Sequence, residues 1–384
     1  MRVLILCADP SVPLGGSRGG SAHLRAVASA LLRAGHLVDC AVVSLGDRSE
    51  LAKLQSRGLS LHTLDSRGGR LPVDRLLASS RPDLVIERLA PYSPHGAESA
   101  AAAGIAHVYK VAALPGEEDV VTSRTASPEE PGLSLRRGFA ASRGAVVASE
   151  DLASWVRSLA PDAFPITVIP NVADPSLFEA PSEADRIWAH SVTAAQLGEF
   201  VIGFMGSFRP WHDLDTLIHA IAMFQSRFPA RLVLIGDGPQ RSALLALTHQ
   251  HRIPTVFAGN VRDGEARALL ECCDAVAMPY GRSGADFSPI RLVEAMAAGR
   301  PIVATETGPT RRVLAEGASG VLVPAGDPSA MARAFERLAT QSTLRQHLAE
   351  SARRRASHYY AWDVAVERVL AFAGARRMGA EHCA

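Results

Sequence analysis

Two carboxylates and the loop between them are the part of this sequence whose residue types and spacing best suggest chemistry. Asp286 lies in a Gly/Ser-rich loop after an apolar run, and Glu294 lies roughly one to two turns into the helix predicted to follow. The backbone amides near Ser288, Ile290 and Arg291 would then lie at the N-terminus of that helix, where unpaired N–H groups and the helix dipole favour an anion. The same residues also fit a capped helix with a solvated glutamate, so the pattern needs support from the elements around it.

The other candidate motifs are incomplete or have a structural explanation. Gly236-Asp237-Gly238-Pro239 follows a predicted strand, but Arg241 stands where a dinucleotide-binding loop needs its third glycine. The paired glycines within residues 15–20 have the wrong spacing as well, and the chain contains no Gly-Lys-Ser/Thr of a P-loop. Asp213-Leu214-Asp215 matches an acidic metal-binding pattern, yet it precedes a predicted helix, where N-capping and the helix dipole explain it. We therefore expect no nicotinamide cofactor and no metal.

Strands and helices alternate along the chain, and this order predicts where such residues meet. Continuous apolar runs such as residues 2–7 are typical of strands buried on both faces of a parallel sheet, and helical patterns separate them. A first series of βαβ units precedes residue 178, and a second starts at Phe200. We predict an α/β fold with two parallel-sheet domains in tandem and ligands at the carboxyl ends of the strands. Residues 115–138 lack a sustained period and are predicted to form a loop.

Composition narrows the class of protein further. The 384 residues suffice for two domains, and 40 Lys and Arg against 39 Asp and Glu leave a formal charge of +1, which argues against a nucleic-acid partner. The only lysines are Lys53 and Lys110, which excludes a pyridoxal-phosphate phosphorylase with its Schiff-base lysine in the C-terminal domain. Five scattered cysteines without a C-x-x-C pair fit a reducing cytoplasm, and no apolar run approaches the ~18 residues of a membrane-spanning helix.

The segment around Asp286 and Glu294 resembles the Glu-x(7)-Glu signature of the retaining GT-B glycosyltransferases of family 4, and its Ser-Pro-x-Arg core is similar to the Ser-Pro-x-Lys of one subgroup. Further motifs agree with that family in order and spacing along nearly the entire chain. They are Gly20-Ser21-Ala22-His23-Leu24-Arg25, Gly35-His36, Glu87-Arg88, Val168-Ile169-Pro170-Asn171, Gly206-Ser207-Phe208-Arg209-Pro210-Trp211-His212, Gly236-Asp237-Gly238-Pro239, Cys273-Asp274 and Gly320-Val321-Leu322-Val323. The resemblance implies the GT-B architecture, in which two Rossmann-like parallel-sheet domains face each other across a cleft.

The resemblance also implies a role for each part of the chain. Residues 1–178 would form an acceptor-binding Rossmann-like domain, 179–199 a connector, and 200–360 a Rossmann-like domain that binds the nucleotide sugar. Residues 361–384 would form a C-terminal helix that packs back on the first domain.

By this resemblance the second domain binds a nucleoside diphosphate sugar. Glu294 would bond the ribose hydroxyls, Asp286 would contact the hydroxyls of the transferred sugar, and backbone groups near Val261 would meet the base. The remaining donor-binding candidates are Ser288, Pro289, Ile290, Gly206, Ser207 and Gly236. The acceptor-binding candidates are Gly19, Gly20, His23, Glu87, Arg88 and Lys110.

Cationic residues complete the set of catalytic candidates. The leaving diphosphate gathers negative charge, and Arg209, His212 and Arg291 are the residues that would stabilise it alongside Asp286. Retention without an obvious nucleophile implies attack from the same face, with the acceptor hydroxyl deprotonated by the leaving phosphate. Two residues depart from the family pattern: His212 replaces a frequent lysine, and Asp286 is one methylene shorter than the usual glutamate. A neutral histidine would hold the phosphate less strongly, although protonation beside a diphosphate would offset this.

The sequence says little about the chemical identity of the acceptor. The helical segment from Leu24 to Arg33 has only scattered arginines, which favours a soluble specialised metabolite, thiol or sugar over a membrane lipid or polysaccharide. Alternatives with the same fold remain open: a nucleotide-sugar epimerase, another phosphorylase, or a non-catalytic scaffold subunit. We expect a cytoplasmic enzyme that needs neither metal nor cofactor, with no nucleic-acid partner and no membrane association, and we leave homodimerisation open.

Overall fold

A computed structural model of the chain describes residues 1–16, 19–64, 72–90, 94–112, 131–173, 177–281 and 290–374. Over these residues the chain forms two compact units. The first unit comprises Met1–Asn171 and the described part of the segment from Trp362 onward, and the second comprises Val172–Ala361. Each unit is built on one parallel sheet, which confirms the predicted α/β class with two parallel-sheet domains.

The sheet of the first unit has seven strands in the order β3-β2-β1-β4-β5-β6-β7. Every pair of neighbouring strands is parallel, so helices connect them across the faces of the sheet. The elements of this unit are β1 (Arg2–Cys7), α1 (Gly19–Arg33), β2 (Leu37–Val42), α2 (Arg48–Gln55), β3 (Leu59–Thr63), α3 (Val73–Ser80), β4 (Leu84–Arg88), α4 (His95–Ala102), β5 (Ala106–Val111), α5 (Pro131–Ala141), β6 (Ala145–Val147), α6 (Glu150–Leu159), β7 (Ile166–Val168) and α15 (Trp362–Gly374).

Local sequence explains these elements. Strand β1 is apolar and buried from Val3 to Cys7, as expected for a central strand covered on both faces. Helix α6 begins after Ser149, whose hydroxyl accepts a hydrogen bond from the Leu152 amide at 3.2 Å. The loop predicted over 115–138 is wrong at its end, because α5 begins at Pro131, where proline suits the first helical turn. The rest of that segment, residues 115–130, lies outside the described residues.

The sheet of the second unit has six strands in the order β10-β9-β8-β11-β12-β13, again with parallel neighbours. Its elements are α7 (Glu183–Thr193), β8 (Phe200–Met205), a short 3-10 helix (Pro210–His212), α8 (Leu214–Phe224), β9 (Ala230–Ile235), α9 (Arg241–Gln250), β10 (Thr255–Gly259), α10 (Asp263–Glu271), β11 (Ala275–Met278), α11 (Ile290–Ala297), β12 (Ile302–Thr305), α12 (Gly308–Val313), β13 (Val321–Val323), α13 (Pro328–Thr340) and α14 (Ser342–Tyr359).

The core of the second unit lies between this sheet and helices α8 and α13. Phe204 on β8, Phe224 on α8 and Phe335 on α13 are fully buried members of one apolar cluster. Helix α13 begins after Asp327, whose carboxylate accepts from the Ala330 amide at 2.8 Å. These helices hold the sheet rigidly, so the loops at the carboxyl ends of its strands project from a fixed base.

Helix α15 returns to the first unit and packs on α1. The Trp362 ring meets the His23 ring edge to face, with centroids 4.8 Å apart. Asp363 pairs with Arg33 at 2.7 Å, and the Arg368 guanidinium donates to the Val168 carbonyl at 3.0 Å.

Candidate functional site

Each sheet has one point at which the strand order reverses. In the first unit this point lies between β1 and β4, and in the second it lies between β8 and β11. Connections from such adjacent strands leave toward opposite faces of the sheet, so a crevice opens at their carboxyl ends. Most of the described residues predicted to bind ligands follow these strand ends.

Glycines form the crevice edge in the second unit. The Gly206 amide, just after β8, donates to the Ile235 carbonyl at 2.9 Å, and Ser207 beside it is exposed. Gly236 has a φ of +126°, and a Cβ there would lie 2.1 Å from the Gly206 carbonyl oxygen. Only glycine fits this contact, which brings the loops after β8 and β9 together as a bare backbone surface. A ligand can approach such a surface closely.

His212 follows these loop residues in the chain, and its ring packs among other aromatic rings. Its Nδ1 is 2.5 Å from the Ser207 carbonyl oxygen, and since a carbonyl only accepts, Nδ1 carries the hydrogen. The ring lies 5.3 Å from that of Phe204 and 5.7 Å from that of Tyr280, measured between centroids. Burial, together with the positive charge of Arg291, lowers the pKa of His212, although the Ser207 bond opposes this shift. Without ligand, His212 is therefore neutral at pH 7, with a lone pair on Nε2.

Glu294 and Arg291 form an ion pair on the first turns of α11. The Arg291 guanidinium is 2.6 Å from Glu294 Oε2, and the carboxylate is buried while half of the arginine side chain is exposed, at 48%. Burial and the Glu294 charge raise the pKa of the Tyr280 phenol while the Arg291 charge lowers it, and the centroid of the Tyr280 ring lies 5.7 Å from that of His212. The structure thus brings three predicted residues, His212, Arg291 and Glu294, to one end of this sheet.

The other donor-side candidates occupy different positions. The Arg209 side chain is exposed, with its guanidinium 5.6 Å from the centre of the Trp211 ring. Ile290 is the first residue of α11, and Val261 follows the end of β10 at Gly259. Three candidates, Asp286, Ser288 and Pro289, lie outside the described residues.

The crevice of the first unit gathers cations next to a helix N-terminus. Gly19 and Gly20 begin α1, and a Cβ on Gly20 would lie 3.4 Å from an Arg88 guanidinium nitrogen. Arg88 ends β4 and pairs in register with Lys110 of the neighbouring β5. Lys110 is buried and its ammonium donates to the Ile169 carbonyl at 3.3 Å. Burial, together with the charges of Arg88 and Arg368, lowers the Lys110 pKa to about 8.

His23 and Glu87 differ in how they relate to this crevice. His23 is partly exposed, and burial with the charges of Lys110 and Arg88 lowers its pKa well below the usual value. Glu87 is completely buried, its Oε2 lies 2.9 Å from His107 Nε2, and a Cβ on Gly96 would lie 2.1 Å from the same oxygen. Burial raises the pKa of Glu87, and the His107 hydrogen bond opposes this shift. Its position inside the sheet–helix layer suits a structural partner of His107 better than a ligand contact.

Three observations concern the acidic motif, metal binding and membrane spans among the described residues. Asp213 occupies the N-cap position of α8, but its side chain makes no capping hydrogen bond, so only the dipole argument applies to the Asp213-Leu214-Asp215 motif. Within the described ranges, no group of three or more His, Cys, Asp or Glu residues could hold a metal ion. No helix in this part of the chain is long and apolar enough to cross a membrane.

Sequence reasoning overlooked Tyr280 and Ser21. Tyr280 is buried just after β11, and its carbonyl accepts from the Thr305 hydroxyl at 2.8 Å, which ties the ends of β11 and β12 together. Ser21 is fully buried in the first turn of α1, with no hydrogen-bond partner for its hydroxyl. Both residues follow a predicted strand or loop at a crevice, and that position is the signal that could have identified them.

The chain is similar to known proteins over part of its length. Residues 199–341 match the family described as Glycosyl transferases group 1. D-inositol 3-phosphate glycosyltransferase of Salinispora arenicola is 33% identical over 207 residues, which are 50% of this chain and 45% of that protein. Phosphatidyl-myo-inositol mannosyltransferase of Mycobacterium leprae is 33% identical over 184 residues, 46% of either chain. The match thus spans about half the length of these curated relatives.

Solved structures resemble the chain over nearly its whole length. Anabaena Alr3699/HepE in complex with UDP has a TM-score of 0.70 at 18% identity, over 99% of this chain and 100% of that one. WaaG, a glycosyltransferase involved in lipopolysaccharide biosynthesis, has a TM-score of 0.60 at 16% identity, over 97% and 100%. At these identities the likeness shows the fold alone. The chain has the GT-B fold, and its residues 199–341 form a domain of the Glycosyl transferases group 1 type.

Proposed function

We propose that this chain is a retaining glycosyltransferase of family 4 that moves a sugar from a nucleoside diphosphate sugar to a small-molecule acceptor. The observation that carries the proposal is the cluster of Glu294, Arg291 and His212 at the strand-order reversal of the second unit. That cluster lies within the residues that match the Glycosyl transferases group 1 family. HepE, a structural neighbour, is described in complex with UDP and with UDP-glucose, which supports a nucleotide-sugar donor for this chain.

The donor is held by the edge of the second sheet. The buried Glu294 carboxylate accepts hydrogen bonds from the ribose hydroxyls, and Arg291 holds that carboxylate in place from one side. The bare backbone of Gly206, Ser207 and Gly236 approaches the diphosphate. Residues around Val261 contact the base. Ile290 contributes its amide at the start of α11, where the dipole favours the anion, and Ser288 and Pro289, which precede it in the sequence, remain donor-binding candidates.

The chemical step breaks the bond between the anomeric carbon and the β-phosphate oxygen. The acceptor hydroxyl attacks from the same face, and its proton passes to the leaving phosphate oxygen, so the configuration is retained. Arg291, Arg209 and a protonated His212 stabilise the charge that gathers on the diphosphate. Asp286 orients the hydroxyls of the transferred sugar. No metal or cofactor takes part in this proposal.

The acceptor binds to the first unit at Gly19, Gly20, His23, Arg88 and Lys110. Two curated relatives carry names that refer to inositol 3-phosphate and to phosphatidyl-myo-inositol, so a polyol is a reasonable acceptor to test first. We propose a soluble acceptor and a cytoplasmic location.

Substitution of Glu294 tests the donor assignment. Glu294→Gln removes the charge but keeps the shape, and the loss of a charge-assisted hydrogen bond of roughly 1.5–3 kcal/mol should weaken binding of the matching nucleoside diphosphate about 10- to 100-fold. The matched control is Glu350→Gln, since Glu350 is also a helix glutamate paired with an arginine, Arg354, but is exposed on α14. Calorimetric titration with UDP, GDP and ADP measures the affinity, and an NMR spectrum of the product from the matching sugar nucleotide reports its anomeric configuration.

Three results would contradict the proposal. If none of the nucleoside diphosphates binds or raises the melting temperature of the wild-type protein, the donor assignment fails. If Glu294→Gln and Glu350→Gln bind equally well, Glu294 has no role in donor binding. If donor binds but no acceptor is ever glycosylated, the scaffold alternative is favoured.

A further inference from the structure

Two cationic side chains lie beside the first turn of α1 in the crevice of the first unit, and we call this group of residues the Arg88–Lys110 pocket. It is formed by Arg88, Lys110 and the first turn of α1, residues 19–22. Arg88 and Lys110 are register partners on adjacent parallel strands, so their side chains leave the same face of the sheet. Both stand where their strands approach the carboxyl edge, next to the reversal between β1 and β4.

Positive charge dominates this pocket. Lys110 is only 9% exposed, and among the described residues no carboxylate pairs with it. The charged groups that act on it, Arg88 and Arg368, are both cationic. An ammonium buried beside guanidinium groups is costly, and a carbonyl at 3.3 Å is a weak substitute for a counter-ion. Such an arrangement suits an anion supplied by a ligand.

The first turn of α1 adds hydrogen-bond donors to the pocket. The Arg88 guanidinium reaches to within contact distance of the Gly20 position, which brings the side chain to amides that have no acceptor within the helix. Ser21 provides an independent observation. Its hydroxyl is fully buried and has no hydrogen-bond partner, and it faces the glycine loop, 2.6 Å from where a Cβ on Gly16 would lie.

Arg25 holds the glycine loop in place. Its guanidinium donates to the Leu14 carbonyl at 2.8 Å and to the Gly16 carbonyl at 2.7 Å. Leu14 and Gly16, which precede α1 in the sequence, are therefore held by a protein side chain. Backbone that is already held lowers the entropic cost of binding, because fewer groups must be ordered when the ligand arrives.

We propose that the Arg88–Lys110 pocket binds a phosphate group carried by the acceptor. The inference rests on the proposed function and narrows the acceptor to a phosphorylated small molecule. Arg88 offers a guanidinium, Lys110 a point charge, and α1 its terminal amides, which together match the several oxygens of a phosphate monoester. His23, neutral and packed against Trp362, lines the approach to this pocket.

The chain offers a direct probe of this pocket, because Lys53 and Lys110 are its only lysines. Protein labelled with 13C at lysine Cε gives two side-chain signals, and Lys53→Met assigns them. We would titrate it with three pairs of compounds: glycerol and glycerol 3-phosphate, glucose and glucose 6-phosphate, and myo-inositol and inositol 3-phosphate. For at least one pair, we expect the phosphate ester to move the Lys110 signal and raise its pKa, with the parent polyol and the Lys53 signal showing no effect.

Lys110→Met should lower the affinity for that phosphate ester at least about tenfold, since a charge-assisted contact is lost, whereas Lys53→Met should keep it. Two outcomes overturn the inference. If no phosphate ester moves the Lys110 signal, the pocket does not bind this group. If UDP, GDP or ADP moves it and the phosphate esters do not, the pocket belongs to the donor diphosphate. Failure of the proposed function is separate, because it would show as a lack of nucleotide binding to the Glu294 site.

Discussion

Replacement of Lys110 by methionine should make the free protein more stable while it removes anion binding. Lys110 is buried, and its pKa falls from an ordinary 10.5 to about 8 in the folded chain. At roughly 1.4 kcal/mol for each pKa unit, keeping this ammonium protonated at pH 7 costs the native state about 3 kcal/mol. Methionine has a similar length and no charge, so Lys110→Met relieves that cost.

The gain is partly offset. The Ile169 carbonyl loses its 3.3 Å hydrogen bond and remains buried, which costs about 1–2 kcal/mol. The net effect on the free energy of unfolding should be an increase of roughly 1–2 kcal/mol at pH 7. For units of this size each kcal/mol corresponds to about 2–4 °C, so the first unit should melt several degrees higher.

The pH dependence gives the prediction its sharpest form. A lysine whose pKa is lowered in the folded state destabilises that state fully below the folded pKa, near 8. Between about 8 and 10.5 the native state releases the proton while the unfolded state keeps it, so the wild type gains stability with rising pH. The advantage of Lys110→Met should therefore be greatest at pH 7 and shrink toward pH 10.

Urea unfolding of wild type, Lys110→Met and Lys53→Met at pH 7, 8.5 and 9.5 measures these differences. Lys53 lies exposed on α2, and its replacement should change the free energy of unfolding by less than about 0.5 kcal/mol. A Lys110→Met variant that is less stable than wild type at pH 7, or whose advantage does not depend on pH, would refute the reasoning that Lys110 is held at a cost.

Three further outcomes are expected. Binding of the matching nucleoside diphosphate at pH 7.5 should take up close to one proton, because burial and Arg291 keep free His212 neutral while a diphosphate favours its charged form. Calorimetry in buffers of different ionisation enthalpy measures this proton uptake. The affinity for the nucleoside diphosphate should also fall as pH rises. Gly96→Ala should lower the free energy of unfolding by about 1–3 kcal/mol or more, since its Cβ would lie 2.1 Å from Glu87 Oε2, and urea unfolding reports it. Gly236→Ala should weaken nucleotide affinity at least about tenfold, because a φ of +126° and a 2.1 Å contact with the Gly206 carbonyl force the loop to move.

Each of these predictions has a control. For His212, a His212→Gln variant should bind nucleotide without proton uptake, and equal uptake in both proteins would reject the assignment. Gly132→Ala is the control for Gly96, because it also lies in a helix but has no atom within 4 Å of its Cβ position. For Gly236, the control is Gly198→Ala, where φ is also positive, at +88°, but nothing lies nearby. Equal affinity in the two variants would show that the glycine contact does not shape the site.

Much of the fold could be predicted because its signal is local. Continuous apolar runs such as β1 and β8 need burial on both faces. Because helices alternate with these strands and can cover both faces, the order predicts a parallel sheet. The helix at Pro131 was missed because its apolar positions are few and its start is preceded by a long polar segment. Periodicity in so short an element is weak, and packing against β5 and α4 decides the outcome.

The site could be predicted only in part. His212, Arg291 and Glu294 were selected as candidates because their motifs resemble those of the glycosyltransferase family and because they follow a strand end or lie on the helix after it. The protonation state of His212 depends on a carbonyl five residues away and on burial beside the Phe204 ring of β8 and the Tyr280 ring after β11, and no local pattern encodes those contacts. Glu87 shows the opposite case, since the family resemblance implied an acceptor contact while the tertiary structure encloses it with His107.

The sequence by itself determined the class of fold and the tandem arrangement of two sheets, because these follow from hydrophobic period and from the order of the elements, and it proposed positions along the chain where chemistry can occur. Only the tertiary structure decided which of those residues share a crevice and in what charge state. Strand order, and not sequence order, makes Arg88 and Lys110 neighbours beside α1, and burial makes the Lys110 charge costly. That long-range pairing, with its low local dielectric, turns two separate cations into one pocket for an anion.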